Sequence, residues 1–326
     1  MRILLIKTSS LGDVVHNLPL VTDLARRRPD ARIDWMVEEG FVDIPRLHPA
    51  VRRVIPVALR RWRGQLLRRD TWREIAAFRA LLRAEAYDVV LDSQGLIKSA
   101  LLTAQARLAP GGTRCGYGRE AAREPLAARA YDRGFGIPRN AHAVERNRWL
   151  AAAAFGYTPD LPLDYGIAAP PLAADWLPAA RAYAVLLTGT SRADKLWPEA
   201  HWVELMRALA GAGLRAVLPA GSGEERQRAA RLAAAVPGAL AAPPLAVAQL
   251  AGLFAGAALV VGLDTGLTHL AAALDRPTVA LFAGSDPELT GVHAGPRAVN
   301  LGRPGAAPTP AEAIEAARRL LTPVTA

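Results

Sequence analysis

The sequence predicts an α/β protein of two doubly wound parallel-sheet domains of similar size. Three observations carry that reading. Short apolar runs alternate with helical patterns through the first half, a proline-rich stretch interrupts the chain near its middle, and the same alternation then restarts. A length of 326 residues suits about two domains of ordinary size. Hydrophobic residues make up 51% and charged residues 21%, which excludes a disordered or collagen-like chain.

In the first half, Ile3 to Ile6 is a short buried strand and Val14 to Arg27 reads as one helix. "RIDWMV" from Arg32 and "VIPV" from Val54 read as further strands. In "WREIAAFRALLRAEAYDVVLDSQG", Ile75, Phe78, Leu81 and Leu82 mark a helix face, and Val89 to Leu91 form a strand ending at Asp92. The helix "AVERNRWLAAAAFGY" closes this half. The interval "TPDLPLDYGIAAPPLAADWLP" holds five prolines and is the best linker candidate. The expected boundaries are 1–165 for the first domain, 166–180 for the linker and 181–308 for the second domain. A final helix over 309–326 is expected to pack back on the first domain.

The second half repeats the pattern: "YAVLLTGTS", "PEAHWVELMRALAGAG", "RAVLPAG", "EERQRAARLAAA", "LVVGLDTG" and "TVALFAG". "TPAEAIEAARRLL" carries its own start signal, with Thr309 as N-cap, Pro310 in the first turn and Glu312 closing a capping box. Leu245 to Leu263 is long enough for a membrane span of roughly 17 to 25 residues. Gln249, Gly252 and the break at Gly256 instead predict a buried helix, a turn and a buried strand.

The single cysteine, Cys115, permits no internal disulfide and gives no metal-ligand spacing. The apolar start is too short for a signal peptide, so the expected location is the cytoplasm. The formal net charge of +10 predicts an acidic partner. Much of the excess lies in "RRVIPVALRRWRGQLLRRDTWR", Arg52 to Arg73, with eight arginines against one aspartate. The planar fork of arginine suits phosphate and carboxylate. On composition alone, a merely solvated basic face accounts for the run equally well.

Doubly wound domains hold ligands beyond the C-terminal ends of their strands, so chemistry-bearing residues belong just after strands, around a cleft between the two sheets. In "KTSSLGD", Asp13 follows a strand and begins a helix; the local pattern alone favours an N-terminal capping role. "TGTSRADKLWPEAHW" offers hydroxyls at Thr190 and Ser191 and an ammonium at Lys195, groups suited to a diphosphate, without Walker spacing. A capped loop with an exposed lysine is the plainer reading. "GLDTGLTHLAAAL" delivers Asp264, Thr265 and Gly266 to a helix start, where anions bind, with His269 one turn inside. An N-cap and a core histidine explain the same residues. "PAGSGEERQ" places Glu224 and Glu225 where an acid can hold a ribose, or simply favour a helix start. No D-x-D, no metal-ligand cluster and no G-x-S-x-G elbow occurs, so neither a metal nor a cofactor is expected.

Taken together, "KTSSLGDVVHNLPL", "DWMVEEGF", "RRVIPVALRRWR", "DSQGLIKSA", "AREPLAARAYDR", "HAVER", "DKLWPEAHW" and "DTGLTHLAAALDRP" closely resemble the lipopolysaccharide heptosyltransferases I of glycosyltransferase family 9. The likeness runs from Met1 to about Asp286. It implies GT-B architecture and an inverting transfer of L-glycero-D-manno-heptose from ADP-heptose to the Kdo of Kdo2-lipid A. ADP-heptose is then a substrate rather than a cofactor. By resemblance Asp13 is the catalytic base, and Lys195, Thr190 and Ser191 hold the donor diphosphate. Glu225, or Glu224 one residue out of register, binds the ribose, and Asp264, Thr265, Gly266 and His269 form the donor-sugar and phosphate turn. Arg60, Arg61, Arg63 and Arg123 match the residues that receive the acidic acceptor.

The resemblance further implies a monomer, peripheral on the cytoplasmic face of the inner membrane, that binds no nucleic acid. The rival readings are a sister enzyme adding a later heptose, a basic nucleic-acid-binding protein, and a nucleotide-sugar binder without catalysis.

Overall fold

A computed structural model describes residues 1–177, 182–190 and 192–322. The chain divides into two compact units, Met1–Ile167 and Ala168–Ala326. In the first lie β1 (Arg2–Ile6), α1 (Leu11–Val15), α2 (Leu18–Arg27), β2 (Arg32–Glu38), α3 (Asp43–Arg46), β3 (Val51–Val57) and α4 (Leu59–Arg63). They are followed by α5 (Arg69–Arg83), β4 (Tyr87–Asp92), α6 (Ile97–Gln105), β5 (Leu108–Tyr117), β6 (Arg133–Phe135) and α7 (Ala143–Phe155). The second unit holds β7 (Tyr183–Leu187), α8 (Glu199–Gly211), β8 (Arg215–Leu218), α9 (Gly223–Ala235), β9 (Leu240–Ala241) and α10 (Val247–Ala255). It ends with β10 (Leu259–Leu263), α11 (Gly266–Ala273), β11 (Thr278–Leu281), α12 (Pro287–Thr290), β12 (Ala298–Leu301) and α13 (Pro310–Leu321).

The two sheets have the same topology. Strand order is β3-β2-β1-β4-β5-β6 in one and β12-β11-β10-β7-β8-β9 in the other, and every pairing within them is parallel. Central strands are covered on both faces, which is why they read as unbroken apolar runs: Ile3 to Ile6 and Leu259 to Val261 are wholly buried. The order reverses between β1 and β4 in the first sheet and between β7 and β10 in the second. Those are the positions where loops diverge and leave room for a ligand.

The expected helix over Val14 to Arg27 is two helices, broken at His16 and Asn17, with Pro19 in the first turn of α2. Proline there is tolerated because first-turn amides have no intrahelical acceptor. On α5, Phe78 and Leu82 enter the core and Ile75 packs beside them, but Leu81 is 40% exposed. Ile75, Phe78 and Leu82 follow the i, i+3, i+7 stripe, and Leu81 falls off it. The apolar stretch from Leu245 resolves as α10, a turn and β10, and no helix among the described residues is long and apolar enough to cross a membrane.

In the last helix, Ala313, Ala316 and Ala317 of α13 belong to the core of the second unit, beside Trp197, Trp202 and Leu205. Its start is as the sequence reads: Thr309 Oγ1 accepts from the Glu312 amide, and Glu312 accepts from the Thr309 amide at 2.7 Å. The first residues after the unit boundary are not a free tether, since the Leu172 amide donates to the Gly252 carbonyl at 2.9 Å.

One buried ion pair ties α2 to α7. Arg148 Nε donates to Asp23 Oδ2 at 2.8 Å, and the same guanidinium reaches Glu145 at 3.2 Å and the Leu161 carbonyl at 2.5 Å. Both side chains are buried, and burial pushes the Asp23 carboxyl above its ordinary value against the pull of Arg148. Arg148→Ala strands that carboxylate, so chemical denaturation of the variant is expected to show a loss of about 3–5 kcal/mol. The double change Asp23→Leu with Arg148→Met removes both charges and is expected to recover much of it.

Candidate active site

The strand-end loops of the first unit build a cradle around Asp13. The loop after β1, Lys7 to Ser10, lies beside the loop after β4, Ser93 to Gly95. Gln94 Oε1 accepts from the Thr8 amide at 2.7 Å, the Thr8 hydroxyl at 3.0 Å and the Ser9 amide at 3.2 Å. Gly95 has φ +67°, a conformation that suits glycine, and a Cβ there would stand 3.1 Å from the Tyr117 ring. Asp92 is consumed within the fold: it is fully buried and accepts from Tyr131 Oη at 2.8 Å and from the Gln94 and Gly95 amides.

Asp13 stands at the third position of α1. Its Oδ2 accepts from both the amide and the hydroxyl of Ser10 at 2.9 Å, and Oδ1 takes no hydrogen bond among the described residues. The N-cap of α1 is Ser10, not Asp13 as the local pattern suggested; Asp13 supports the helix start from the third position, which occupies only one oxygen of a half-buried carboxylate. Two cations flank this loop: Lys7 Nζ donates to the Ser93 carbonyl at 2.9 Å, and Lys98 Nζ to Ser9 Oγ at 2.7 Å. Burial pushes the Lys7 ammonium below its ordinary range, against the opposing pull of Asp13 and Asp92, and burial likewise lowers Lys98. Gln94 and Lys98 were not singled out from the sequence, because neither spacing nor composition reveals which side chain bridges two loops about 85 residues apart.

The candidate acceptor arginines differ in what already holds them. Arg61 forks onto Glu39, with both contacts at 3.0 Å, and reaches Glu74 at 2.7 Å. Arg60 is exposed with its guanidinium 5.5 Å from the Phe41 ring centroid, and Arg63 and Arg123 are also exposed. Elsewhere in the basic run, Arg52 and Arg53 are structural, both bound to the buried Asp34. Arg60, Arg63, Lys98 and Glu38 line a cavity of about 530 Å³ with Trp62 and Phe78 among its apolar walls.

In the second unit the loops after β7, β10 and β11 meet. Lys195 Nζ donates to Asp264 Oδ2 at 2.5 Å, the Ser285 hydroxyl donates to the same oxygen, and His269 Nε2 lies 3.7 Å from Oδ1. Burial pushes the Asp264 carboxyl up, but the contacts from His269, Lys195 and Ser285 outweigh it and hold the group well below the usual carboxylate range. Thr265 is the N-cap of α11 and Gly266 its first residue, so the amide end of that helix begins one residue from this charged pair. His269 is buried at 6% exposure. Ser285 is not legible in the sequence, because a serine in the loop after β11 carries no motif spacing and its charged neighbour Asp286 reads as the cap of the following turn.

Beside this group a cavity of about 130 Å³ is lined by Leu187, Gly189, Gly221, Glu225, Leu250 and Thr265 among others. Glu225 Oε2 accepts from the Gly221 and Ser222 amides at 2.9 and 3.0 Å, as part of a capping box with Ser222. A Cβ at Gly189 would lie 2.5 Å from Glu225 Oε1, so glycine is what lets the loop after β7 pass over this acid. Glu225, and not the exposed Glu224, lines the cavity. Thr190 sits one residue further along that loop, half-buried, with Oγ1 accepting from the Arg192 amide at 3.4 Å. Ser191 lies outside the described residues.

The model of glycosyltransferase family 9 (heptosyltransferase) matches residues 75–313. The chain belongs to glycosyltransferase family 9. This family-9 transferase is 49% identical over 306 residues to lipopolysaccharide heptosyltransferase 1 of Pseudomonas aeruginosa, covering 93% of this chain and 84% of that one. It is 48% identical over 293 residues to the enzyme of the same name from Escherichia coli K12, covering 89% and 90%. Among solved structures, E. coli heptosyltransferase WaaC with ADP superposes with a TM-score of 0.89 at 42% identity, covering 98% of this chain and 100% of that chain. WaaC with ADP-2-deoxy-2-fluoro heptose gives a TM-score of 0.84 at 41% identity, over 98% and 99%. The expected α/β architecture and heptosyltransferase family are thereby borne out.

Proposed function

We propose that this family-9 transferase moves L-glycero-D-manno-heptose from ADP-heptose to the Kdo of Kdo2-lipid A with inversion at the anomeric carbon and without a metal ion. The observation that carries the reading is Lys195 bound to Asp264 at the amide end of α11, in a chain about half identical to heptosyltransferases 1. Similarity to a heptosyltransferase 2, at 28% identity with the Salmonella typhimurium enzyme, is weaker and favours the first-heptose acceptor. The nucleic-acid reading loses its support once the arginine run is divided between structural pairs and a transferase fold.

In the second unit, Glu225 would take the ribose hydroxyls, and Lys195, Thr190, Ser191 and the first amides of α11 the diphosphate. In the first unit, Asp13 accepts the proton of the Kdo hydroxyl as that oxygen bonds to the anomeric carbon. The bond from that carbon to the diphosphate oxygen breaks, and its electron pair leaves on ADP. A carboxylate is a weak base at neutral pH, so proton removal must accompany bond formation. Lys195 and the helix start then meet the charge growing on the leaving oxygen.

The test is incubation with ADP-heptose and deacylated Kdo2-lipid A, followed by mass spectrometry, with and without a chelator. The expected product gains one heptose in both arms. No heptosylated product would overturn the acceptor assignment, and product only without chelator would overturn metal independence. The acceptor is a membrane lipid, so the proposed place of work is the cytoplasmic face of the inner membrane.

A further inference from the structure

The turn joining α4 to α5 carries an apolar tip that the fold does not use. Leu67 is fully exposed, and Leu66 and Trp72 are exposed to 49% and 58%. The tip is a built turn: Trp72 Nε1 donates to the Leu66 carbonyl at 2.8 Å, and the Arg68 amide donates to the Gln65 carbonyl at 3.0 Å. Around it stand Arg60, Arg63, Arg68 and Arg69, all exposed, none with a carboxylate at salt-bridge distance among the described residues. The nearby acids are taken, Asp70 by Arg73 and Glu74 by Arg61 and Trp62.

Two leucines and a tryptophan grouped in water mark an interaction site. The arginines decide the sign of the partner, which must be anionic. A polyanion in water would need only the arginines and would leave Leu67 idle. A bilayer with anionic headgroups uses both: short apolar side chains enter the acyl boundary, tryptophan sits at headgroup depth, and arginines meet the phosphates.

We propose that the tip formed by Leu66, Leu67 and Trp72, ringed by Arg60, Arg63, Arg68 and Arg69, docks this protein on an anionic lipid bilayer. The assignment deepens the proposed membrane location and rests on that reading for its purpose, but not for its test.

The experiment is co-sedimentation of the full chain with vesicles of phosphatidylglycerol and phosphatidylcholine, against phosphatidylcholine alone and against a duplex DNA gel shift. Wild type is expected to bind the mixed vesicles far more strongly than the neutral ones. Leu67→Ser is expected to weaken that binding about tenfold through lost apolar insertion. Arg68→Ser with Arg69→Ser is expected to weaken it by about tenfold or more through lost headgroup attraction. Leu67 touches nothing that folding needs, so its variant should match wild type in thermal melting and in turnover of the water-soluble deacylated acceptor. Vesicle binding by Leu67→Ser equal to wild type would overturn the proposal, as would DNA binding that follows the arginine pair and outcompetes the vesicles. Turnover of the soluble acceptor in the same preparations reports the transferase reading separately, so failure of one does not mask failure of the other.

Discussion

Asp13→Asn is expected to lower heptose transfer by about 10²–10⁴-fold, the range of general-base assistance, while leaving ADP affinity unchanged. The substitution is clean because of how Asp13 is held. Its Oδ2 accepts two hydrogen bonds from Ser10, and the amide oxygen of asparagine can accept the same two, so the helix start survives. What disappears is the basic oxygen at Oδ1, which no neighbour among the described residues engages. Asp13→Ala would confuse the issue by also removing the acceptor that Ser10 uses at the helix start, at about 1 kcal/mol. The groups proposed to bind ADP all lie on the second unit, so calorimetric titration with ADP should not distinguish the variant from wild type. Turnover near the wild-type rate would take Asp13 out of the proton transfer and return it to helix capping alone.

The ease of finding Asp13 and the difficulty of finding its neighbours have the same physical origin. Strands buried on both faces must be apolar throughout, so Ile3–Ile6 and Leu259–Val261 announce themselves and place the loops that follow them. Once the loops are placed, a charged residue in the stretch between a strand and the next helix start is conspicuous, as Asp13, Lys195 and Asp264 are. Long-range partnership leaves no such trace. Lys195 and Asp264 are 69 residues apart, and their contact depends on β7 and β10 being neighbours in the sheet. The same holds for Gln94, Lys98 and Ser285, ordinary polar residues until the sheet order brings their loops together. The arginine run was ambiguous for a related reason: Arg52 and Arg53 are spent on Asp34, 18 and 19 residues away, while Arg63 is not, and local sequence treats all three alike.

The largest effect in the second unit should come from Lys195, and its partner separates binding from chemistry. Lys195→Ala is expected to cut transfer by about 10²–10³-fold, the usual cost of losing one donor to a developing oxyanion. It also leaves Asp264 buried and anionic without its cation, facing the diphosphate, so ADP binding should weaken by about tenfold or more. Asp264→Asn acts in the opposite direction on binding. The carboxyl is held well below its ordinary range, so at neutral pH it neutralises Lys195; the asparagine leaves the ammonium unspent and removes a like charge from the diphosphate. ADP should therefore bind as tightly as in wild type, or more tightly. Transfer should still fall, by about tenfold, because the amide anchors Nζ less firmly than a charge-assisted bond and the ammonium is no longer aimed at the leaving oxygen. Calorimetry with ADP, which has no heptose to complicate the comparison, measures the first quantity, and single-turnover kinetics with ADP-heptose measures the second. If Asp264→Asn lost ADP affinity as severely as Lys195→Ala, Asp264 would be contacting the nucleotide itself rather than holding the lysine, and the division of labour argued for this pair would not stand.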